Sequence, residues 1–264
     1  LIERIRALFL GDIFGQPGCR AVYVGLGSMI KNLKADVVIA NGENAADGFG
    51  MTPDILDKLY SSGVDVVTSG NHIWQNSDIL SRLDSQETIL RPANYPQGTP
   101  GHGNCTVVVK GIPVTVINVQ GRYRMPAIDC PFRTSREILR RVSTSAKVKI
   151  VDFHAEEPEE KEALAMHLDG TASAVFGTHT HVQTADERIL PGGTAYITDA
   201  GMTGPVSGVI GGNPEISIRR ALTQLPLKME VADSSSILCG VLVEVDTETG
   251  KAVEIERVRE ELAV

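Results

Sequence analysis

Short apolar runs recur along the chain, at residues 7–10, 37–40, 64–68, 148–153, 174–176 and 195–198, with helix-compatible polar stretches between them. Runs this short fit strands buried on both faces, and their alternation with helical segments predicts a layered α/β architecture. Capping residues mark two helix starts. Thr52 before Pro53 predicts an N-cap with proline at the first helical position, opening a helix over residues 54–62 that Gly63 stops. Asn213 before Pro214 repeats the device for residues 215–225. Two regions break the alternation and predict antiparallel hairpins: 105–109 with 113–119 about residues 110–112, and 237–245 with 252–258 about residues 247–250. They imply a second sheet. No linker, internal repeat or low-complexity tract appears beyond the serines at 234–236, so a single domain over residues 1–264 is expected. The acidic run 156–162 around Pro158 reads as the solvated first turn of a helix, where carboxylates suit the helix dipole.

Composition narrows the functional classes. With 264 residues, 42% hydrophobic and 22% charged, the chain has the make-up of an ordinary globular protein, which excludes disordered, collagen-like and coiled-coil readings. Its 25 basic and 33 acidic residues give a net charge of −8, the wrong sign for tracking long nucleic acids, although a small phosphorylated ligand can still find a locally positive cleft. Cys19, Cys105, Cys130 and Cys239 form no CxxC pair, which leaves reduced, mostly buried thiols rather than a zinc ribbon or thioredoxin motif. No apolar run approaches the roughly 18 residues of a membrane span, and residues 5–10 are too few for a signal-peptide core. The expected compartment is the cytoplasm, with no membrane partner.

The candidate chemistry follows directly after the apolar runs, where α/β sheets bind ligands. Gly11-Asp12 follows the first, Asn41-Gly42-Glu43-Asn44 the second, Gly70-Asn71-His72 the third, His154 the fourth and Gly177-Thr178-His179-Thr180-His181 the fifth. Four of the six histidines lie at these ends; His102, in a Gly/Pro-rich loop, and His167, in an expected helix, read as surface or structural. Each piece alone has a bland reading: an Asp after a strand as a turn or cap, a lone His as hydrogen-bonded structure, Glu43 and Asn44 as the cap of the next helix. Jointly, five strand ends deliver metal-ligand residue types. If residues 179–181 are extended, the i, i+2 spacing puts both rings on one face about 6.6 Å apart, which suits two metals roughly 3.5 to 4 Å apart.

In this order and each after a strand, Gly11-Asp12, Gly70-Asn71-His72, His154 and Gly177-Thr178-His179-Thr180-His181 resemble the calcineurin-like metallophosphoesterases. Asn41-Gly42-Glu43-Asn44-Ala45-Ala46, Arg91-Pro92-Ala93-Asn94, Asp152-Phe153-His154-Ala155-Glu156 and residues 178–186 look like the YmdB-like bacterial group within them, over nearly the whole chain. Two departures from the wider superfamily fit that group. Asp12 is followed by Ile13 and Phe14 instead of completing an Asp-x-His motif, and Glu43 takes the bridging role usually given to Asp, with Asn44 replacing the missing His.

The resemblance implies a layered metallophosphoesterase-type α/β sandwich of two mixed β-sheets flanked by helices. It also implies a dinuclear site: Glu43 bridging, Asp12, Asn44 and His181 on one metal, and Asn71, His154 and His179 on the other. The mixed oxygen and nitrogen donors without thiolate suit manganese, iron or zinc, and the group suggests iron or manganese. Two divalent ions against Asp12, Glu43 and a bridging hydroxide leave about one positive charge, which a phosphodiester monoanion neutralises. In the implied mechanism the bridging hydroxide attacks phosphorus in line, and His72, next to a ligand but not one itself, protonates the leaving oxygen or polarises the phosphoryl group.

The implied substrates are small phosphodiesters, 2′,3′-cyclic nucleotides in particular, with phosphatase activity as a side reaction. Arg91, Arg122 and Arg124 are the nearest basic candidates for a phosphate clamp, although arginine is common outside sites. Two rival functions remain. One is a metal-binding regulatory protein in which catalysis is incidental; the other is a Rossmann-type nucleotide-binding module, from Gly11, Gly15 and Gly18 after a strand, whose spacing is GxxxGxxG rather than GxGxxG. A homo-oligomer is the default assembly because closed symmetric complexes are common.

Overall fold

The computed structural model describes residues 3–263, so Leu1, Ile2 and Val264, the ends of the expected domain, lie outside the described residues. The first half runs β1 (Arg4–Leu10), β2 (Asp12–Ile13), α1 (Gly15–Leu33), β3 (Val37–Asn41), α2 (Pro53–Ser61), β4 (Val66–Thr68), α3 (Leu80–Ser85), β5 (Asn104–Val109) and β6 (Ile112–Gln120). The second runs α4 (Pro131–Val142), β7 (Val148–His154), α5 (Pro158–Leu168), β8 (Ala174–Thr178), β9 (Arg188–Ile189), β10 (Ala195–Ile197), β11 (Met202–Pro205), α6 (Pro214–Thr223), β12 (Ser236–Asp246) and β13 (Ala252–Leu262).

These strands form two mixed sheets. One has the order β2-β11-β12-β1-β3-β4, with β13 on β12; the other has the order β5-β6-β7-β8-β10-β9. The alternation along each strand decides what each face meets. Ile5, Ala7 and Phe9 of β1, Val37 and Ile39 of β3, and Val241, Val243 and Val245 of β12 turn toward Val114, Val116, Val148, Ile150, Ala174 and Phe176 of the other sheet. Phe9 and Phe176 meet there with ring centroids 5.2 Å apart. Leu8 and Leu10 turn the other way, onto Val22, Leu26 and Met29 of α1 and Leu56 and Leu59 of α2. Val151 and Phe153 likewise pack on Ile138 and Leu139 of α4 and Leu164 and Leu168 of α5. The result is helix, sheet, sheet, helix, the expected sandwich.

Local signals hold in detail. Thr52 Oγ1 accepts from the Ile55 N–H, and Asn213 Oδ1 accepts from the N–H groups of Glu215 and Ile216. α6 ends earlier than expected, because Gln224 turns left-handed at φ 58°. Both hairpins form and the expected second sheet is present: β5–β6 lies in one sheet, while β12–β13 joins the other through β1. The acidic run also departs from expectation. Glu160 and Lys161 of α5 are buried, and Glu160 accepts hydrogen bonds from the backbone N–H groups of Arg122 and Tyr123, so this turn is only partly solvated.

What positions the site is the parallel pairing inside each sheet. β1, β3 and β4 are mutually parallel, as are β6, β7 and β8, so the carboxyl ends of each set open at one edge of the sandwich. Among the described residues no helix is long and apolar enough to cross a membrane.

Candidate metal centre

The side chains of Asp12, Glu43, Asn44, His72, His154, His179 and His181 converge at that edge. Asp12 opens β2 fully buried, and its Oδ2 accepts from the His179 N–H at 3.0 Å. Glu43, also fully buried, places Oε1 3.1 Å from His154 Nε2 and 3.2 Å from His72 Nδ1, while its Oε2 accepts from the His72 N–H. His179 Nδ1 lies 3.0 Å from His154 Nε2, and His181 Nε2 lies 3.1 Å from Asn44 Nδ2 and 3.8 Å from Asp12 Oδ1. Asn71 follows Gly70, a position that excludes any side chain: a Cβ there would fall 2.2 Å from His154 Cδ2 and 2.3 Å from Glu43 Oε2.

The histidine tautomers are fixed from outside, as metal ligands usually are. Asp152 Oδ1 accepts from Thr178 Oγ1, which leaves that oxygen to accept from His154 Nδ1 at 2.9 Å. His181 Nδ1 donates to the Ile210 carbonyl at 3.0 Å, and His179 Nε2 pairs with Glu156 at 3.0 Å. Each ring thereby turns its other nitrogen inward: Nε2 of His154 and His181, Nδ1 of His179. Asp152 is itself held by Thr68 and Asn41, so one buried carboxylate ties β3, β4, β7 and β8 together behind the candidate ligands.

The electrostatics follow from this crowding. Burial pushes the Asp12 carboxyl up, against the pull of His181 and His154. Burial acts on Glu43 in the same sense, but the charges and hydrogen bonds of His154 and His72 hold it well below the usual carboxylate range. His154 is opposed by burial, yet Glu43, Asp12 and Asp152 raise it to about 9. Burial, and then the charged His154 beside it, drive His179 down to about 3. Asp152 is raised by burial to about 6.

A divalent cation fits this donor set on two counts. Glu43, His154 and His179 offer ligand atoms all within 4.8 Å of one another. Asp12 Oδ1 and Asn71 Oδ1 are buried and accept no hydrogen bond, which two lone-pair donors rarely tolerate without a cation or water. Asn44 turns Nδ2 toward Glu43 and His181 and Oδ1 toward His72, so donating its oxygen to a metal beside Asp12 and His181 calls for the reversed amide.

The centre opens into a cavity of about 270 Å³ lined by Phe14, Glu43, Asn44, Phe49, His72, Glu156, His179, His181, Ile210 and Met229, among others. A larger one of about 360 Å³ shares His181 but runs along Gln183, Met202, Arg257 and Arg259, away from Glu43 and His154. The larger cavity lacks the carboxylate and histidine cluster, so the smaller one is the candidate site.

Three sequence expectations need correction. Residues 179–181 are not extended: His179 has φ 101° and His181 φ 65°, so the two rings part to different neighbours instead of sharing one strand face. The arginine clamp is absent from the described lining. Arg91 donates to the carbonyls of Pro92, Thr99 and Pro100, Arg122 to Cys130 Sγ, and Arg124 pairs with Glu157. The glycines of the Rossmann-like spacing serve packing. A Cβ at Gly11 would meet Gly201 O at 2.0 Å, and one at Gly18 would meet Thr203 O at 2.3 Å. His102 and His167 lie outside the cavity, as expected.

Sequence reasoning passed over Phe49 in the cavity lining and the buried pair Lys161–Asp199 behind Thr180, and it gave Glu156, part of a motif and of the acidic run, no role at the site. Asp152, a charge inside an apolar run, carried a readable signal; Lys161, inside a charge run, carried none.

A family model described as YmdB-like protein matches residues 8–258. Over 254 residues the chain is 46% identical to the 2′,3′-cyclic-nucleotide 2′-phosphodiesterase of Bacillus subtilis (strain 168), covering 96% of each. A solved structure titled a novel phosphatase from Mycoplasma pneumoniae superposes with a TM-score of 0.93 at 34% identity, over 99% of this chain and 95% of that one. A hypothetical protein from Thermus thermophilus superposes with a TM-score of 0.90 at 42% identity, over 97% and 99%.

Proposed function

This chain belongs to the YmdB-like family, and from that premise we propose that it hydrolyses small phosphodiesters, 2′,3′-cyclic nucleotides above all, at a centre of two metal ions. The observation that carries the reading is the convergence of Asp12, Glu43, Asn44 and His154, each buried, with His179 and His181, four of which (Glu43, Asn44, His179 and His181) line a cavity of about 270 Å³. That volume falls below the roughly 300 Å³ at which drug-sized pockets begin, which favours a small substrate.

We assign Glu43 as the bridging ligand, Asp12, Asn44 and His181 to one ion, and Asn71, His154 and His179 to the other. Oxygen and imidazole donors without thiolate suit iron or manganese, with zinc also compatible. Bound there, the ions would acidify a water and polarise the phosphoryl oxygens. With the Asn44 amide reversed so that its oxygen faces the metal, its NH2 donates to His72 Nδ1 across the 2.7 Å contact, which leaves the proton on Nε2 for the departing ribose oxygen. The outer partners Thr178, Glu156 and Ile210 keep the ligand rings from turning. Three buried thiols and the half-buried Cys130, all unpaired, suit a reducing compartment, so we place the activity in the cytoplasm, in one domain over residues 1–264.

The purified protein should turn over bis-p-nitrophenyl phosphate and 2′,3′-cyclic AMP with added Mn²⁺ and stop on chelation. Among the described residues lining the cavity are the carboxylates Glu43 and Glu156 and no Lys or Arg, so chelation should also abolish nucleoside monophosphate binding. Asn71→Ala and His154→Ala should each lose activity by more than about 100-fold, beyond what outer-sphere substitutions cost, with the fold retained. Full activity in either variant would overturn the ligand assignment.

A further inference from the structure

We propose that Phe49 is the platform on which the substrate's nucleobase stacks, an inference that rests on reading this centre as a phosphodiesterase of cyclic nucleotides. Phe49 is 43% exposed, a large aromatic ring kept in water beside fully buried carboxylates. Its position is built into the backbone. Asp47, Gly48 and Gly50 all take left-handed angles (φ 50°, 89° and 72°), and the Ala46 N–H donates to Gly50 O while the Phe49 N–H donates to Ala46 O, closing a tight loop. Glycines on both sides of Phe49 let the backbone double back on itself and hold the ring outward on a tight loop.

The ring is aimed at the reaction. Phe49 and His72 meet nearly edge to face, with centroids 5.0 Å apart and an interplanar angle of 70°. In a 2′,3′-cyclic nucleotide the base sits on the carbon next to the one bearing the 2′ oxygen. A surface that receives the base must therefore adjoin the group that protonates the departing oxygen, and Phe49 touches His72. The cavity wall suits a flat apolar group, since Ile210 and Met229 join Phe14 and Phe49 in the lining. Phe14 joins the two loops: Cβ atoms at Gly48 and Gly211 would meet its ring at 3.1 and 2.7 Å. Stacking on an aromatic face is indifferent to base identity because every base has a π-face. The slot therefore selects for a nucleoside over a bare sugar phosphate without choosing strongly among bases.

The test compares Phe49→Ala and Phe49→Tyr with the unaltered protein on 2′,3′-cyclic AMP and on the 2′,3′-cyclic phosphate of 1-O-methylribose, which lacks a base. The ratio of kcat/KM for the nucleotide to that for the base-less compound should fall about 5- to 150-fold in Phe49→Ala, mostly through KM, and recover in Phe49→Tyr. An unchanged ratio would overturn the proposal, and so would equal losses on both compounds. Binding of adenosine 3′-monophosphate and of ribose 3-phosphate to the Mn²⁺-loaded protein gives a second readout. If the unaltered protein turns over neither cyclic phosphate, the phosphodiesterase reading fails. The platform then stands only if adenosine 3′-monophosphate binds more tightly than ribose 3-phosphate and Phe49→Ala removes the difference, and falls if it does not.

Discussion

Replacing Lys161 by Met tests how the ligand loop is held. Lys161 Nζ lies 2.8 Å from Asp199 Oδ2, and both side chains are 1% exposed. Asp199 Oδ2 also accepts from the Thr180 N–H at 3.1 Å and from Thr180 Oγ1 at 2.8 Å, and its Oδ1 accepts from the Gly201 N–H at 2.8 Å. Thr180 stands between His179 and His181, both left-handed, a conformation that costs an L-residue roughly 1 to 2 kcal/mol. The loop thus stores about 2 to 4 kcal/mol of backbone strain that the Asp199 clamp must offset.

Methionine at 161 keeps the volume and removes the charge, stranding a buried carboxylate. Breaking such a pair costs about 3 to 5 kcal/mol, and the low end applies because three neutral donors remain on Asp199. For a chain of this size about 3 kcal/mol corresponds to roughly 6 to 12 °C in Tm. With the clamp loosened, His179 and His181 lose their preset geometry, and Mn²⁺ should bind about 10- to 100-fold more weakly. The assay is thermal unfolding beside Mn²⁺ titration, with Lys161→Met/Asp199→Leu as the double variant. The double should cost less stability than the two singles together, because neither partner is then stranded. A Tm and a Mn²⁺ affinity both unchanged in Lys161→Met would refute the reasoning.

Two further outcomes follow from the same geometry. Without added metal, His154, raised from 6.5 to about 9, contributes stability that is complete below pH 6.5 and lost as pH rises through about 9. A metal at His154 must displace that proton, so the stabilisation by Mn²⁺ should grow across this window; a flat or falling Tm difference between pH 6.5 and 9 would contradict the assignment. Gly70→Ala should abolish metal binding while costing only about 1 to 3 kcal/mol of stability, since its Cβ would sit 2.2 Å from His154 Cδ2. Equilibrium unfolding and metal content distinguish the two effects, and a fully loaded Gly70→Ala protein would show that the strand-end packing is looser than described.

Most of the candidate site was legible because the residues that build it are local to the strand ends. Gly70-Asn71-His72 and the 177–181 segment follow apolar runs that fit buried strands, and a strand's carboxyl end in a parallel α/β sheet brings the next residues to the ligand-binding edge. The caps at Thr52 and Asn213 were equally local, since each needs only its own side chain and the next few N–H groups. The extended reading of 179–181 failed because the angles there are set by Asp199, eighteen or more residues away in sequence, and by Asp12, 167 residues from His179.

The sequence by itself determined most of the strands, though not the short β2, β9 and β11, together with the layered class and the candidate ligand types at the strand ends, because periodicity and capping are properties of neighbours along the chain. Only the tertiary structure decided how those ends are used. It showed that Lys161 is buried, that Arg91, Arg122 and Arg124 serve elsewhere, and that Glu156 and Phe49 stand at the mouth. Charge and exposure depend on which distant segment arrives across the sandwich, and no spacing along a single chain encodes that.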